Sequence, residues 1–170
     1  MILNRRSQNH LTTHFLILQA KASRMSRIKI DLPEKFSFTT SIPVRITDLN
    51  YGGHVGNDTI LSLIHEARVQ YLASIGYSEL NFGGAGLIMS DVGIEFKNEV
   101  FYGDTIKASV VAGDVTRVSF SLYYKLEKDN AEKPVVLALA KTGMICYNYD
   151  LKKMTAISED VRLKLQEVLL

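Results

Sequence analysis

The sequence predicts an α+β protein, with an antiparallel sheet of about five strands curled around one long helix and a second helix at the C-terminus. Two observations point there. A single long run of helical periodicity lies early in the chain, and it is followed by four consecutive runs suited to strands. Turn-forming clusters separate those runs at short intervals, as in an antiparallel meander.

The first strand is "FSFTTSIPVRIT" (36–47), rich in β-branched and aromatic residues, with Pro43 marking an edge or a bulge. The loop "DLNYGGHVGND" (48–58) follows. "NDTILSLIHEARVQYLASIG" (57–76) is the helix, with Asn57 or Asp58 to cap its start and Gly76 to end it. Ile60, Leu61, Ile64, Ala67, Tyr71, Leu72 and Ile75 share one face; Leu63 widens it and Arg68 falls inside it. So broad an apolar face predicts a helix mostly wrapped by other structure, with Glu66 pointing away from the centre of that face.

"NFGGAG" (81–86) is a loop. "LIMSDVGIEFKNEVF" (87–101) is a long strand alternating at Ile88, Val92, Ile94 and Phe96, and "YGD" (102–104) is a turn. "TIKASVVAGDV" (105–115) and "RVSFSLYYKLEK" (117–128) are strands. The second places Val118, Phe120, Leu122, Tyr124 and Leu126 on one side. After the hairpin turn "DNAEKP" (129–134), "VVLALAKTGMICYNY" (135–149) is the most apolar strand and is expected to be central. "SEDVRLKLQEVLL" (158–170) reads as the closing helix, with Ser158 as its cap. A lone sheet around one helix leaves edges exposed, so a homodimer is expected, with a homotetramer as the further possibility.

Composition narrows the function classes. The chain has 170 residues, 46% of them hydrophobic and 22% charged, the profile of an ordinary globular domain. Its single cysteine, Cys146, excludes an internal disulfide and reads as a small apolar side chain in a strand. No apolar stretch approaches the roughly 18–20 residues of a membrane span, and a cytoplasmic location is expected. The net charge of +2 conceals an asymmetry. Residues 1–27 carry five basic side chains and no acid, leaving the remaining 143 residues at −3. A mildly acidic body has no stripe with which to track phosphates, so nucleic acid is not an expected partner. Residues 1–26 are set apart from the domain at 27–170. They read either as a transit peptide or as an upstream start, with Met25 the first residue of the protein.

The loop at 48–58 concentrates chemistry. It leads from a strand into a helix N-terminus, whose unpaired N–H groups and about half a positive charge suit a developing oxyanion. Gly52 and Gly53 permit close approach of a ligand. His54 can donate a hydrogen bond or move a proton. Asp48 can act as base, nucleophile or orienter, and Asn50 can hold a water or polarise a carbonyl. The same residues also serve as ordinary turn formers in many loops; their combination at one junction is what points to a site.

"VRITDLNYGGHVGNDTILSLIHEAR" resembles the signature of hotdog-fold acyl-CoA thioesterases of the 4-hydroxybenzoyl-CoA thioesterase type. Their pattern runs as D-x-D, a short gap, G-H-V, x-N, and a helix ending near E-A-R. The related run of plant acyl-carrier-protein thioesterases is similar, and "FYGD" (101–104) resembles the family's turn between two strands. Asp48, Gly53, His54, Val55 and Asn57 match. Asn50 does not: it stands where the family usually carries its catalytic acid, and an amide is neither a general base nor an acyl acceptor. Gly52 stands where the plant enzymes have asparagine.

The resemblance implies hydrolysis of an acyl-CoA without a cofactor or metal. The carbonyl would be polarised by backbone N–H groups near Gly53 to Val55, with Gly52, Gly53, Val55, Asn57 and Asp58 forming the substrate site. Asp48 or Glu66 would activate water, Asn50 would orient it and His54 would assist; Asp58 is a third carboxylate at the helix start. The missing acid supports the alternative, a hotdog protein that binds an acyl ligand without hydrolysing it. A dehydratase is a weaker option, because the histidine–carboxylate context of such enzymes is not found here. His65, on the flank of the helix, reads as core-edge packing.

Overall fold

A computed structural model of the chain describes residues 27–130 and 132–167; the expectations for residues 1–26 and for the last turn of the closing helix lie outside that range. The elements are β1 (Phe38–Pro43), α1 (Asn57–Ser74), β2 (Gly86–Phe96), β3 (Thr105–Gly113), β4 (Ser119–Lys128), β5 (Val135–Asn148), β6 (Lys153–Met154) and α2 (Glu159–Glu167). The strands form one antiparallel sheet in the order β1-β3-β4-β5-β2, with β6 added to the end of β5. The order expected from sequence is present; the two-residue β6 is additional, being too short for periodicity to reveal.

The concave face of the sheet is built by alternation. Ile106, Ala108, Val110 and Ala112 of β3 and Phe120, Leu122, Tyr124 and Leu126 of β4 are buried, with Ala138, Ala140, Met144 and Cys146 of β5. Into this face α1 sets Ile60, Leu63, Ile64, Ala67, Tyr71 and Leu72, lying against β1 and β3. Each large aliphatic side chain removed from water there contributes about 1.5–3 kcal/mol. Burial raises the Cys146 thiol to about 11, in keeping with an inert packing role.

Arg68 is the one charge on the buried face of α1. Its side chain is 6% exposed, and its Nε donates to Glu79 Oε1 at 2.6 Å. Burial works to raise the Glu79 carboxyl, but hydrogen bonds from His65 and Arg68 outweigh it and hold the group below its ordinary value. His65 is therefore a surface partner of Glu79, at 2.9 Å, rather than a core-edge packing residue. Gly76, at φ 85°, ends α1 as expected. Its N–H donates to Ala73 O and the Tyr77 N–H to Leu72 O, the paired closure that a left-handed residue permits.

Several expectations are corrected. The strand expected over 36–47 stops at Pro43, which has no N–H for the ladder, and Ile46–Asp48 turn into a 3-10 helix. The strand expected over 87–101 stops at Phe96. Within it, a bulge at Ser90 breaks the register between Met89 and Asp91. The extra residue reverses parity, so Val92, Ile94 and Phe96 share a face with Leu87 and Met89, and Ile88 faces the other way. The most apolar strand, β5, is interior but not central; β4 holds the middle. α1 is covered on one side only: Ser62, His65, Glu66 and Val69 are exposed. The Arg162 N–H donates to Ser158 O at 3.0 Å, which puts Ser158 at the cap position of α2. Among the described residues, no helix is long and apolar enough to cross a membrane.

Candidate active site

The loop between β1 and α1 is a closed scaffold. The Asp48 carboxylate accepts the Arg45 N–H at 2.7 Å and so finishes the 3-10 turn. Leu49 and Val55 form an isolated antiparallel bridge. Inside it the Asn50 N–H donates to His54 O at 2.8 Å and the Gly53 N–H to Asn50 O at 3.0 Å. Gly53 closes that turn at φ 79°, a conformation that costs an L side chain about 1–2 kcal/mol. The Val55 N–H donates to Val100 O at 2.8 Å, tying the loop to the segment that follows β2.

This scaffold uses two of the donors expected for a substrate carbonyl, the N–H groups of Gly53 and Val55. The first intrahelical bond of α1 runs from the Ile60 N–H to Gly56 O, so the helix opens with the N–H groups of Asn57, Asp58 and Thr59, which lie before any i−4 carbonyl. The cap expected at Asn57 or Asp58 is instead Gly56, in extended conformation and with no capping side chain. Both residues sit in the first turn. A Cβ at Gly56 would lie 2.5 Å from Asp58 Oδ1, so the carboxylate folds back over the glycine.

Asn50 and His54 are locked together. The Gly52 N–H donates to Asn50 Oδ1 at 2.8 Å, which fixes the amide and turns Nδ2 towards His54 Nε2, at 3.2 Å. That imidazole nitrogen must therefore accept, and in the neutral ring the proton resides on Nδ1. Gly52 makes room for the pair: a Cβ there would lie 3.0 Å from His54 Cε1 and 3.1 Å from Asn50 Oδ1. On its far side, His54 Nδ1 lies 3.9 Å from Glu99 Oε1.

Concavities flank the loop among the described residues. A cleft of about 270 Å³ holds His54 and Glu99 at the helix N-terminus, with Val55, Asn57, Ile60, Phe96 and Val100 among its walls. A second, of about 510 Å³, runs along Asn50 to Gly52, His54 and Gly56 to Asp58. The third, of about 170 Å³, lies on the flank of α1 and contains Asp48 and Glu66 with Thr59, Ser62 and Leu63. Thus Asn50, His54, Val55 and Asn57 gather at the helix end, while two of the three carboxylates singled out in the sequence, Asp48 and Glu66, share a separate cleft; the third, Asp58, lines the second concavity with Asn50 and His54. Glu66 is exposed and accepts from Gln70 Nε2 at 2.6 Å. Glu99 is the carboxylate that sequence reading passed over. It lies in a stretch assigned to a strand, and nothing local marks it; its place in the site comes from the long-range bond between Val55 and Val100. Among the described residues, no three His, Cys, Asp or Glu side chains gather where they could hold a metal ion.

Solved structures resemble this one closely in fold. A 1,4-dihydroxy-2-naphthoyl-CoA thioesterase from Synechocystis shares 20% identity over 78% of this chain and 98% of that chain, with a TM-score of 0.69. A DHNA-CoA thioesterase from Staphylococcus aureus shares 18% over 77% and 89%, with a TM-score of 0.68. A thioesterase from Thermus thermophilus, solved with coenzyme A and Zn, shares 19% over 80% and 96%, with a TM-score of 0.68. Comparison with curated proteins returns no match. The shared fold is the hotdog arrangement expected from the sequence. The sequence model of the thioesterase-like superfamily matches residues 44–165, from the end of β1 into α2 and across the whole site. On that match, the chain belongs to the thioesterase-like superfamily.

Proposed function

We propose that the protein hydrolyses an acyl-CoA thioester to the free acid and CoA. The observation that carries this reading is the polar loop locked against the open N-terminus of α1, beside a cleft walled by Val55, Ile60, Phe96 and Val100. The thioester carbonyl oxygen sits at the first-turn N–H groups of α1, which stabilise the oxyanion as water attacks. Gly52 and Gly53 keep the loop thin beside the substrate, and Val55, Asn57 and Asp58 line its approach. His54 and Asn50 position the attacking water or its base. A carboxylate activates that water; the sequence names Asp48 and Glu66 first, with Asp58 as the third, and Asp48→Asn and Glu66→Gln measure the shares of the first two. The loss of kcat from removing a general base is typically 10²–10⁴-fold.

The proposal includes a homodimer or homotetramer, supported by the exposed apolar side chains on edge strand β2, and a cytoplasmic location, consistent with one buried cysteine. A second reading has a specific motive. Asn50 stands where the resembling enzymes carry an acid, so the domain would bind an acyl-CoA without turning it over. Thiol release from short, long and aromatic acyl-CoA esters by the purified protein separates the two. Turnover of at least one class is expected; saturable binding with no release from any would establish the binding protein instead.

A further inference from the structure

We propose that Glu99 is the water-activating carboxylate of this site, and that Asn50 and His54 exist to present an imidazole N–H to it. The proposal deepens the hydrolase reading and rests on it. The hydrogen-bond sequence starts at the backbone. The Gly52 N–H fixes Asn50 Oδ1, Asn50 Nδ2 donates to His54 Nε2, and the remaining His54 proton, on Nδ1, faces Glu99 Oε1 at 3.9 Å. Because Nε2 already accepts from Asn50, the ring has no free lone pair with which to take a proton from water. Its available function is donation through Nδ1–H, and the group receiving it is a carboxylate. The Glu99 side chain is 66% exposed and that of His54 34%, and both line the same cleft, so Glu99 is open to water while it neighbours the imidazole.

The backbone holds these groups in register. The Val55–Val100 bond ties the residues next to His54 and Glu99 together, and Asn57 of the first helical turn lines the same cleft. Asp48 and Glu66 are placed differently: they share the cleft on the flank of α1, and each carries a bond of its own, to Arg45 N–H and to Gln70. The other charge in the cleft, Lys97, is paired with Glu95 at 2.6 Å. The substitution at position 50 then has a chemical meaning. An amide can donate to Nε2 and so direct the imidazole proton towards Glu99, which an ionised acid cannot do.

The step balances. Glu99 takes one proton from water as the water oxygen bonds to the acyl carbon, giving a tetrahedral oxyanion at the helix N-terminus. The oxyanion collapses, the C–S bond breaks, and the sulfur leaves with the proton returned by Glu99. Acid and thiol are the products, and the carboxylate is regenerated.

The test compares kcat and KM of the wild type, Glu99→Gln and Glu99→Ala on the best acyl-CoA of the panel, with formate added to the alanine variant. The expected result is a fall in kcat of at least about 100-fold in both variants with KM within about threefold. Partial recovery of Glu99→Ala in formate is also expected, which a merely structural residue would not show. Glu99→Gln turning over within about threefold of the wild type, or Glu99→Ala impaired and unresponsive to formate, overturns the proposal while the hydrolase reading stands. A wild type that releases no thiol removes both together.

Discussion

His54 is defined by what surrounds it. One ring nitrogen is committed to Asn50 and the other turned to Glu99, so the tautomer is set by a neutral amide. Asn50→Asp therefore reverses it. A carboxylate at position 50 draws the imidazole proton to Nε2 and leaves a lone pair facing Glu99. The expected outcome is a loss of kcat of roughly 10²-fold, measured by steady-state thiol release. A gain in kcat would mean that the acid missing at position 50 is the true base. The individual residue types of this loop were legible in the sequence, because turn chemistry is local: Gly53 takes a left-handed turn and Gly52 leaves room for a side-chain pair. Which carboxylate joins them was not legible. Glu99 reaches the loop through a contact between distant segments, and no period or short motif encodes such a contact.

The elements were readable where one face of each is buried, since burial imposes the period: Phe120 to Leu126 on β4 and Ile60 to Leu72 on α1 follow it. They were misread where local geometry breaks the period. The bulge at Ser90 reverses the parity of β2, and Pro43 ends β1 early. A second polar cluster ties three strands together away from the site. Asp114, at the end of β3, accepts from Lys141 Nζ, Tyr123 Oη and Ser121 Oγ at 2.7, 2.7 and 3.0 Å. The bonds from Lys141 and Tyr123 lower its carboxyl from 3.8 to about 2, against the smaller effect of burial. The folded-state value is the depressed one, so Asp114 contributes stability above the ordinary carboxylate value, and that contribution is lost as pH falls from 3.8 to about 2. Asp114→Asn tolerates the left-handed backbone at φ 48° but does not titrate. Urea unfolding as a function of pH should show the variant less stable than the wild type at neutral pH, with the gap closing as pH approaches 2. An unchanged gap across that window would show that the cluster adds nothing through charge.

At the scale of the molecule the sheet is unfinished. β2 is an 11-residue strand that ends the sheet order among the described residues, and Met89, Val92 and Phe96 stand exposed on the face it shares with the core. An edge that is long and apolar invites a second copy. Sedimentation should find a dimer or tetramer, and Val92→Lys should shift it towards monomer; a wild type that is monomeric at micromolar concentration would remove assembly from the account. The general architecture followed from the order of elements, because one helix and a run of strands leave few ways to bury their apolar faces. The claim on which the rest depends is that the loop at 48–58 and the opening turn of α1 form a hydrolytic centre. The most direct measurement is kcat for thiol release from a saturating acyl-CoA by the wild type and by His54→Ala. Turnover is expected to fall by at least about 10²-fold in the variant while the ester still binds. Equal turnover by the two proteins would contradict the claim.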